Sequence, residues 1–236
     1  PEGGLSDAVL VREAARGGRL FAIPDDMTFD VAALAEPVAV GMHAAEQAGV
    51  DLDDKVAVFG CGPIGLAAIA SLADRGLTDI VAVDLSATRR RLAETVGAAN
   101  SIDPAETSVW AELSRLHGTA QVQFGTAPAT SAYIEATGSS KMLTKIIDRA
   151  GRASTICVVA LHYEPVPVNF LSVLMKELTI RGSIEYPANF GDAIELLSRR
   201  DLSPLITHRY PLSEITSALE VLDSSRECGK VMIEMR

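Results

Sequence analysis

The chain has 236 residues, ample for one large domain or two small ones with a buried core. A hydrophobic share of 48% and a charged share of 22% sit near the soluble average, which excludes a disordered or fibrous class. A net charge of −10 argues against a nucleic-acid partner, because a phosphate backbone calls for clustered Lys and Arg, and it points no more to an anionic membrane surface.

In chain order, residues 1 to 35 read as short β-prone pieces and turns. Apolar runs then alternate with helix-forming stretches. Strands are predicted at Lys55–Gly60, Asp79–Asp84, Ala132–Thr137, Arg152–Val159 and Leu178–Ser183. Helices are predicted at Ile64–Arg75, Thr88–Val96, Val109–Leu116 and Lys141–Asp148, with Gly76, Gly97 and Gly118 where C-terminal stops belong. The runs are continuously hydrophobic, as parallel strands covered on both faces should be. Gly125–Ser131 reads as a small-residue loop with no role assigned. A strand, a helix over Leu212–Leu222 and a final strand complete the pattern. The fold class is therefore α/β with a doubly wound parallel sheet.

The stretch Val56–Ala73 carries no charge over 18 residues, the length at which a membrane-spanning helix is considered. Gly60, Gly62 and Pro63 would break such a helix after one turn, so strand, tight turn and helix is the simpler reading. Cys61, Cys157 and Cys228 have long, irregular spacings that make neither a disulfide framework nor a metal knuckle. A reducing, cytoplasmic setting is expected. No signal peptide is visible, and the start at Pro1 without Met suggests a fragment or a processed chain.

"VFGCGPIGL" at Val58–Leu66 is the most informative motif. Gly60, Gly62 and Gly65 give G-x-G-x-x-G after a predicted strand and at the opening of a predicted helix. Asp84 ends the next strand, 19 residues past Gly65, the spacing of a carboxylate that bonds a ribose 2′-hydroxyl. Gly60 permits the turn, Gly62 lets a pyrophosphate approach, and Gly65 lets helix pack on strand. A methyltransferase-type glycine turn is the alternative. The acid favours NAD over NADP, since it repels a 2′-phosphate. Arg89, Arg90 and Arg91 point different ways on a helix; one should be solvated and one should lie over the adenosine.

Several segments together resemble the zinc-dependent medium-chain dehydrogenases, in the sorbitol, butanediol and threonine dehydrogenase branch. They are "GGLSDAVLV", "ALAEPVAVGMHA" at 33–44, "GCGPIG", "DLSATRRRLAETVGA" at 84–98, "EATG" at 135–138 and "KELTIRGSIEYP" at 176–187. The resemblance implies a Rossmann domain over 41–205, with 1–40 and 206–236 as parts of a GroES-like β-barrel catalytic domain. It also implies that Gly60, Gly62, Pro63, Ile64 and Gly65 line the pyrophosphate, that Asp84 takes the adenosine ribose, and that Arg89 lies at the adenine end. Thr137 would face the cofactor; Val159, Ala160 and Leu161 would hold the nicotinamide carboxamide through their backbone. Ile184, Glu185 and Tyr186 would line the same end of the cleft. Glu36 would be the carboxylate at a catalytic zinc, bound directly or through water. The branch usually has an arginine at the position of Glu185, where it helps to hold a polyol. Its remaining zinc ligands, a cysteine and a His-Glu pair, would precede Pro1.

Apart from the resemblance, Glu36 before Pro37 reads as an acid at a helix start, and His43 as a packed core residue. His117, His162 and His208 have no metal-pair spacing. Cys61 reads as a small side chain under the loop. The implied activity is NAD-dependent, zinc-assisted interconversion of a secondary alcohol (polyol, diol or hydroxy-amino-acid type) and a ketone. An NAD-binding module without catalysis and a zinc-free quinone-reductase-like enzyme are the rivals. A small-molecule alcohol or ketone is the expected substrate, with no nucleic-acid or membrane partner. Leu178–Ser183 lies near the expected sheet edge, and in the resembling family such a strand pairs across a dimer, so the resemblance implies a homodimer or homotetramer.

Overall fold

The structure, a computed structural model, describes residues 4–6, 8–14, 18, 20–123, 125–225 and 227–235. A short helix, α1 (Phe29–Ala32), precedes α2 (Ala35–Gln47). β1 (Val56–Phe59) leads through the glycine turn into α3 (Pro63–Asp74), β2 (Ile80–Val83) into α4 (Ala87–Val96), and β3 (Asn100–Ile102) into α5 (Val109–His117). A hairpin of β4 (Thr119–Gln121) and β5 (Thr126–Pro128) follows. Then come β6 (Ala132–Glu135), α6 (Ser140–Arg149), β7 (Thr155–Val158), α7 (Phe170–Lys176), β8 (Thr179–Gly182) and α8 (Gly191–Arg199). β9 (Ile206–Pro211), α9 (Ile215–Ser224) and β10 (Lys230–Glu234) come last.

Six strands form one parallel sheet in the order β3-β2-β1-β6-β7-β8. Val58 pairs with Ala82 on one side and Ile134 on the other, so β1 lies at the centre, where the order of winding reverses. Such a sheet opens a crevice outside the carboxyl ends of its strands at the reversal, and the glycine turn sits there. Every residue of β1, β2 and β6 is buried, because alternate side chains enter two apolar cores. One core packs Val56 and Val58 against α2, α3 and α8; the other packs Phe59 and Tyr133 against Leu113, Ile146 and Ile147. Gly97 and Gly118 cap α4 and α5 with positive φ, where the sequence puts their stops.

The five strands predicted with bounds and the five predicted helices, Leu212–Leu222 included, agree with the observed elements to within three residues at each end. Two features depart from expectation, and a third lies partly outside the described residues. Gly125–Ser131 is not wholly loop, since Thr126–Pro128 pairs antiparallel with Thr119–Gln121. β8 is exposed along its whole length rather than buried on both faces, because it is the edge strand. The opening stretch "GGLSDAVLV" lies partly outside the described residues. Up to residue 35, the regular element among the described residues is the single turn α1.

The expected domain boundary at 40/41 falls inside α2, which buries Ala35, Val38, Ala39, Ala44 and Ala45 against the sheet layer. A Cβ on Gly41 would come within 2.5 Å of Ala67 Cβ and 2.6 Å of Ala68 N, so α2 and α3 meet nearly backbone to backbone. β9 and β10 form a separate parallel pair. No helix among the described residues is long and apolar enough to cross a membrane.

Candidate dinucleotide site

β1 ends in an abrupt turn. Gly60 has φ +91°, which L side chains rarely adopt, and a Cβ there would lie 2.7 Å from the Ala136 carbonyl oxygen. Gly62 is the N-cap of α3, with Pro63 in its first turn, where a missing N–H costs nothing. A Cβ on Gly65 would sit 1.8 Å from the Gly60 carbonyl oxygen, so helix and strand can approach only without it. Gly62 is different: its φ is −69° and a Cβ would meet no atom within 4 Å. The bare backbone at Gly62 therefore faces open space in front of a helix N-terminus, a cradle for an anion rather than a packing requirement.

That space belongs to a cleft of about 460 Å³, lined among others by Gly60, Gly62, Asp84, Arg89, Thr137 and Met142. Asp84 forms its far wall. Its Oδ2 accepts the Cys61 N–H at 2.7 Å and its Oδ1 accepts the Ser86 N–H at 2.8 Å, so the acid fixes both the glycine loop and the start of α4. Cys61 is fully buried beneath the loop, and burial pushes its thiol pKa well up, so it is unreactive filling.

The three arginines diverge. Arg89 donates from Nε to the Cys228 carbonyl at 2.7 Å, Arg90 binds the Asp84 and Leu85 carbonyls and the Asp103 carboxylate, and the exposed Arg91 reaches the Thr88 hydroxyl.

The opposite wall is held by a residue that sequence reasoning did not single out. Glu135 ends β6 fully buried; its Oε1 accepts the N–H groups of Thr137 at 2.8 Å and Gly138 at 3.1 Å, together with the Thr137 hydroxyl. Its Oε2 meets His162 Nε2 at 2.9 Å. Three donors and a histidine compensate a carboxylate that would otherwise be costly to bury. The sequence signal was an acid closing an apolar strand before the glycine-containing turn of "EATG"; nothing announced its partner 27 residues on.

Val159, Ala160 and Leu161 follow β7 at the same edge of the sheet. The Val159 and Ala160 N–H groups both donate to the Glu135 carbonyl, at 3.0 and 3.2 Å. Ile64 is half-buried in the first turn of α3, and Ile184, Glu185 and Tyr186 are exposed beyond β8. Glu185 has φ +62°. The Tyr186 hydroxyl donates to Glu36 Oε1 at 3.4 Å, which brings an expected cofactor residue to the expected metal ligand.

Glu36 itself is exposed on the first turn of α2, and no three His, Cys, Asp or Glu side chains among the described residues are grouped to hold a metal ion. The described residues therefore offer an open cleft at a helix N-terminus but no metal centre of their own. His43 is half-buried beside Glu46 rather than packed in the core, because α2 leaves that side of its last turns partly open. His117 is buried between Thr130 and Asp79, and His208 stacks with Tyr210.

A parallel sheet wound in this order, with a glycine turn and an acid at its reversal point, defines a Rossmann-type domain. The family model "Zinc-binding dehydrogenase" matches residues 63–199, and the chain belongs to that family. It is 33% identical over 217 residues to the sorbitol dehydrogenase of Bos taurus, covering 91% of this chain and 59% of that protein. It is 34% identical over 217 residues to the (R,R)-butanediol dehydrogenase of Bacillus subtilis (strain 168), covering 90% and 58%. The solved 2R,3R-butanediol dehydrogenase from Bacillus subtilis superposes with a TM-score of 0.79 at 30% identity, over 92% of this chain and 60% of that one. The chain thus spans about three fifths of the length of the relatives it matches.

Proposed function

We propose that the protein is an NAD-dependent oxidoreductase that interconverts a secondary alcohol, of the polyol or diol type, and a ketone. The observation that carries this reading is the open space over Gly62 at the head of α3, with Asp84 across the cleft. The relatives named for sorbitol and butanediol support the substrate class.

When bound, NAD accepts the hydride from the alcohol carbon. The chain's own part is to bind and orient. The α3 N-terminus and bare Gly62 backbone receive the pyrophosphate, and Asp84, held by Cys61 and Ser86, accepts from the ribose. The turn after β7 spends the Val159 and Ala160 N–H groups on the Glu135 carbonyl, which leaves the Leu161 N–H and the carbonyls of the turn as the backbone groups it can offer a carboxamide. With no arginine at position 185, the exposed side chains of Glu185 and of Tyr186, the latter bonded to Glu36, are the polar groups this segment offers to an alcohol.

Zinc is expected in the whole protein, with Glu36 as the single ligand this chain contributes. The described residues hold no set that would bind it, and no step above runs through the metal. Residues 1–40 and 206–236 would belong with the barrel that supplies the remainder. A cytoplasmic homo-oligomer paired along β8 completes the reading: that edge is exposed, and Leu171 and Leu174 of the neighbouring α7 are 63% and 71% exposed. A monomer by light scattering at micromolar concentration would refute the pairing.

The test of the activity is NADH formation at 340 nm with a panel of polyols and diols, alongside zinc content by mass spectrometry. NADH that depends on both alcohol and zinc is expected. Alcohol-independent NAD binding with no turnover at stoichiometric zinc would refute the catalytic reading.

A further inference from the structure

The N-terminus of α4 is where a 2′-phosphate on the adenosine ribose would come to rest, since it follows directly on the acid that meets that ribose. In this protein it is already closed. Asp84 Oδ1 takes the Ser86 N–H, Ser86 Oγ takes the Arg89 N–H at 3.1 Å, and Glu227 Oε2 takes the Thr88 N–H at 3.1 Å. Glu227 arrives from a segment 139 residues away, ahead of β10. The same segment anchors the Arg89 guanidinium, whose Nε donates to the Cys228 carbonyl at 2.7 Å. Gly229 secures it: a Cβ there would lie 2.6 Å from the Leu205 carbonyl oxygen, so the segment lies flat on the domain.

From this arrangement we infer that Glu227 is a specificity-determining residue, a second carboxylate that closes the α4 N-terminus and excludes a 2′-phosphorylated dinucleotide. The inference rests on the dinucleotide reading of the cleft. Asp84 alone would repel the phosphate from one side. Glu227 occupies the Thr88 N–H that could otherwise receive it and sets a negative charge beside it, while the Cys228 carbonyl holds Arg89 Nε. The Thr88 hydroxyl and N–H and the Ser86 hydroxyl hold the Glu227 carboxyl below its usual range, so it is charged wherever the protein would be assayed. Arg91, exposed and bonded to Thr88 Oγ1, is the cation a phosphate could recruit were the carboxylate neutralised.

The experiment is a binding titration of NAD and NADP into the full chain, followed by calorimetry and by fluorescence of Trp110, the single tryptophan. Trp110 stacks on Phe59 of the cleft wall with ring centroids 5.8 Å apart, which makes it a local reporter. Glu227→Gln keeps an oxygen for the Thr88 N–H and removes only the charge; Glu227→Lys reverses it. The expected result is NAD affinity unchanged within about twofold, and NADP affinity raised about tenfold in the Gln variant and further in the Lys variant, the scale of one close charge contact. An unchanged NADP-to-NAD ratio in both variants would overturn the proposal. So would equal weakening of both dinucleotides, which would make Glu227 a helix cap only. Failure of the unaltered protein to bind either dinucleotide would overturn the dinucleotide reading itself, a separate result from an unchanged ratio.

Discussion

Asp84 Oδ2 lies 2.7 Å from the Cys61 backbone nitrogen, so the acid at the end of β2 holds the glycine loop at the end of β1. One carboxylate thus shapes the turn and, on the proposed reading, would also face the ribose of a bound dinucleotide. Replacing Asp84 by Ala should therefore cost fold stability as well as affinity, about 3 kcal/mol or more from two lost charge-assisted bonds to backbone N–H groups. Thermal melts read this directly. An Asp84→Ala melt equal to that of the unaltered protein would mean that the bonds to Cys61 and Ser86 contribute nothing.

Gly62 and Gly65 should separate ligand from fold. Gly62→Val adds atoms into open space at an unstrained φ of −69°, so stability should change by less than about 1 kcal/mol while NAD affinity falls at least tenfold. Gly65→Ala drives a Cβ to 1.8 Å from the Gly60 carbonyl oxygen and should destabilise the fold by about 3 kcal/mol or prevent it. Equal melting temperatures for the two variants would contradict the assignment.

Gly41→Ala tests the seam between α2 and α3. The added methyl would meet Ala67 Cβ at 2.5 Å and Ala68 N at 2.6 Å, neither of which can rotate away, and forcing the helices apart should cost about 2–3 kcal/mol in denaturant midpoints. A neutral result would show that the seam relaxes freely.

His117 predicts a pH dependence of stability. Burial holds its pKa below the ordinary 6.5, although Asp79 at 3.2 Å pulls the other way. The unfolded chain therefore takes up this proton more readily than the folded one. The contribution is fully present above about pH 6.5 and is lost as pH falls through 6.5 toward the folded value, with a slope of at most ~1.4 kcal/mol per pH unit. Urea midpoints between pH 7.5 and 5 should fall in the unaltered protein and fall less in His117→Gln. Parallel pH profiles would remove His117 as the cause.

The sheet was legible because β1, β2 and β6 are buried on both faces and so carry unbroken apolar runs, with glycines closing the helices between them. β3 (Asn100–Ile102) is short and polar and gave no such run. α7 (FLSVLMK) is only two turns long, with five apolar residues around Ser172 and Lys176, too short to display a helical period. α8 had a usable signal in Ala193, Leu196 and Leu197 at i, i+3 and i+4, all buried, and it went unread. At the site, the glycines and Asp84 could be read because their spacing is local. Glu135 with His162, Glu227 with Thr88, and Tyr186 with Glu36 could not, because each pair is made by strand order and chain return rather than by neighbouring letters.

The central claim, that the cleft between Gly62 and Asp84 holds NAD, is tested most directly by calorimetric titration of NAD into the unaltered protein and into Gly62→Val. The account predicts one site per chain with a dissociation constant below about 1 mM, the usual range for such ligands, and at least tenfold weaker binding in Gly62→Val with a melting temperature within about 4 °C of the unaltered protein's. No heat of binding to a folded, unaltered protein, or equal binding by the folded Gly62→Val variant, would contradict it.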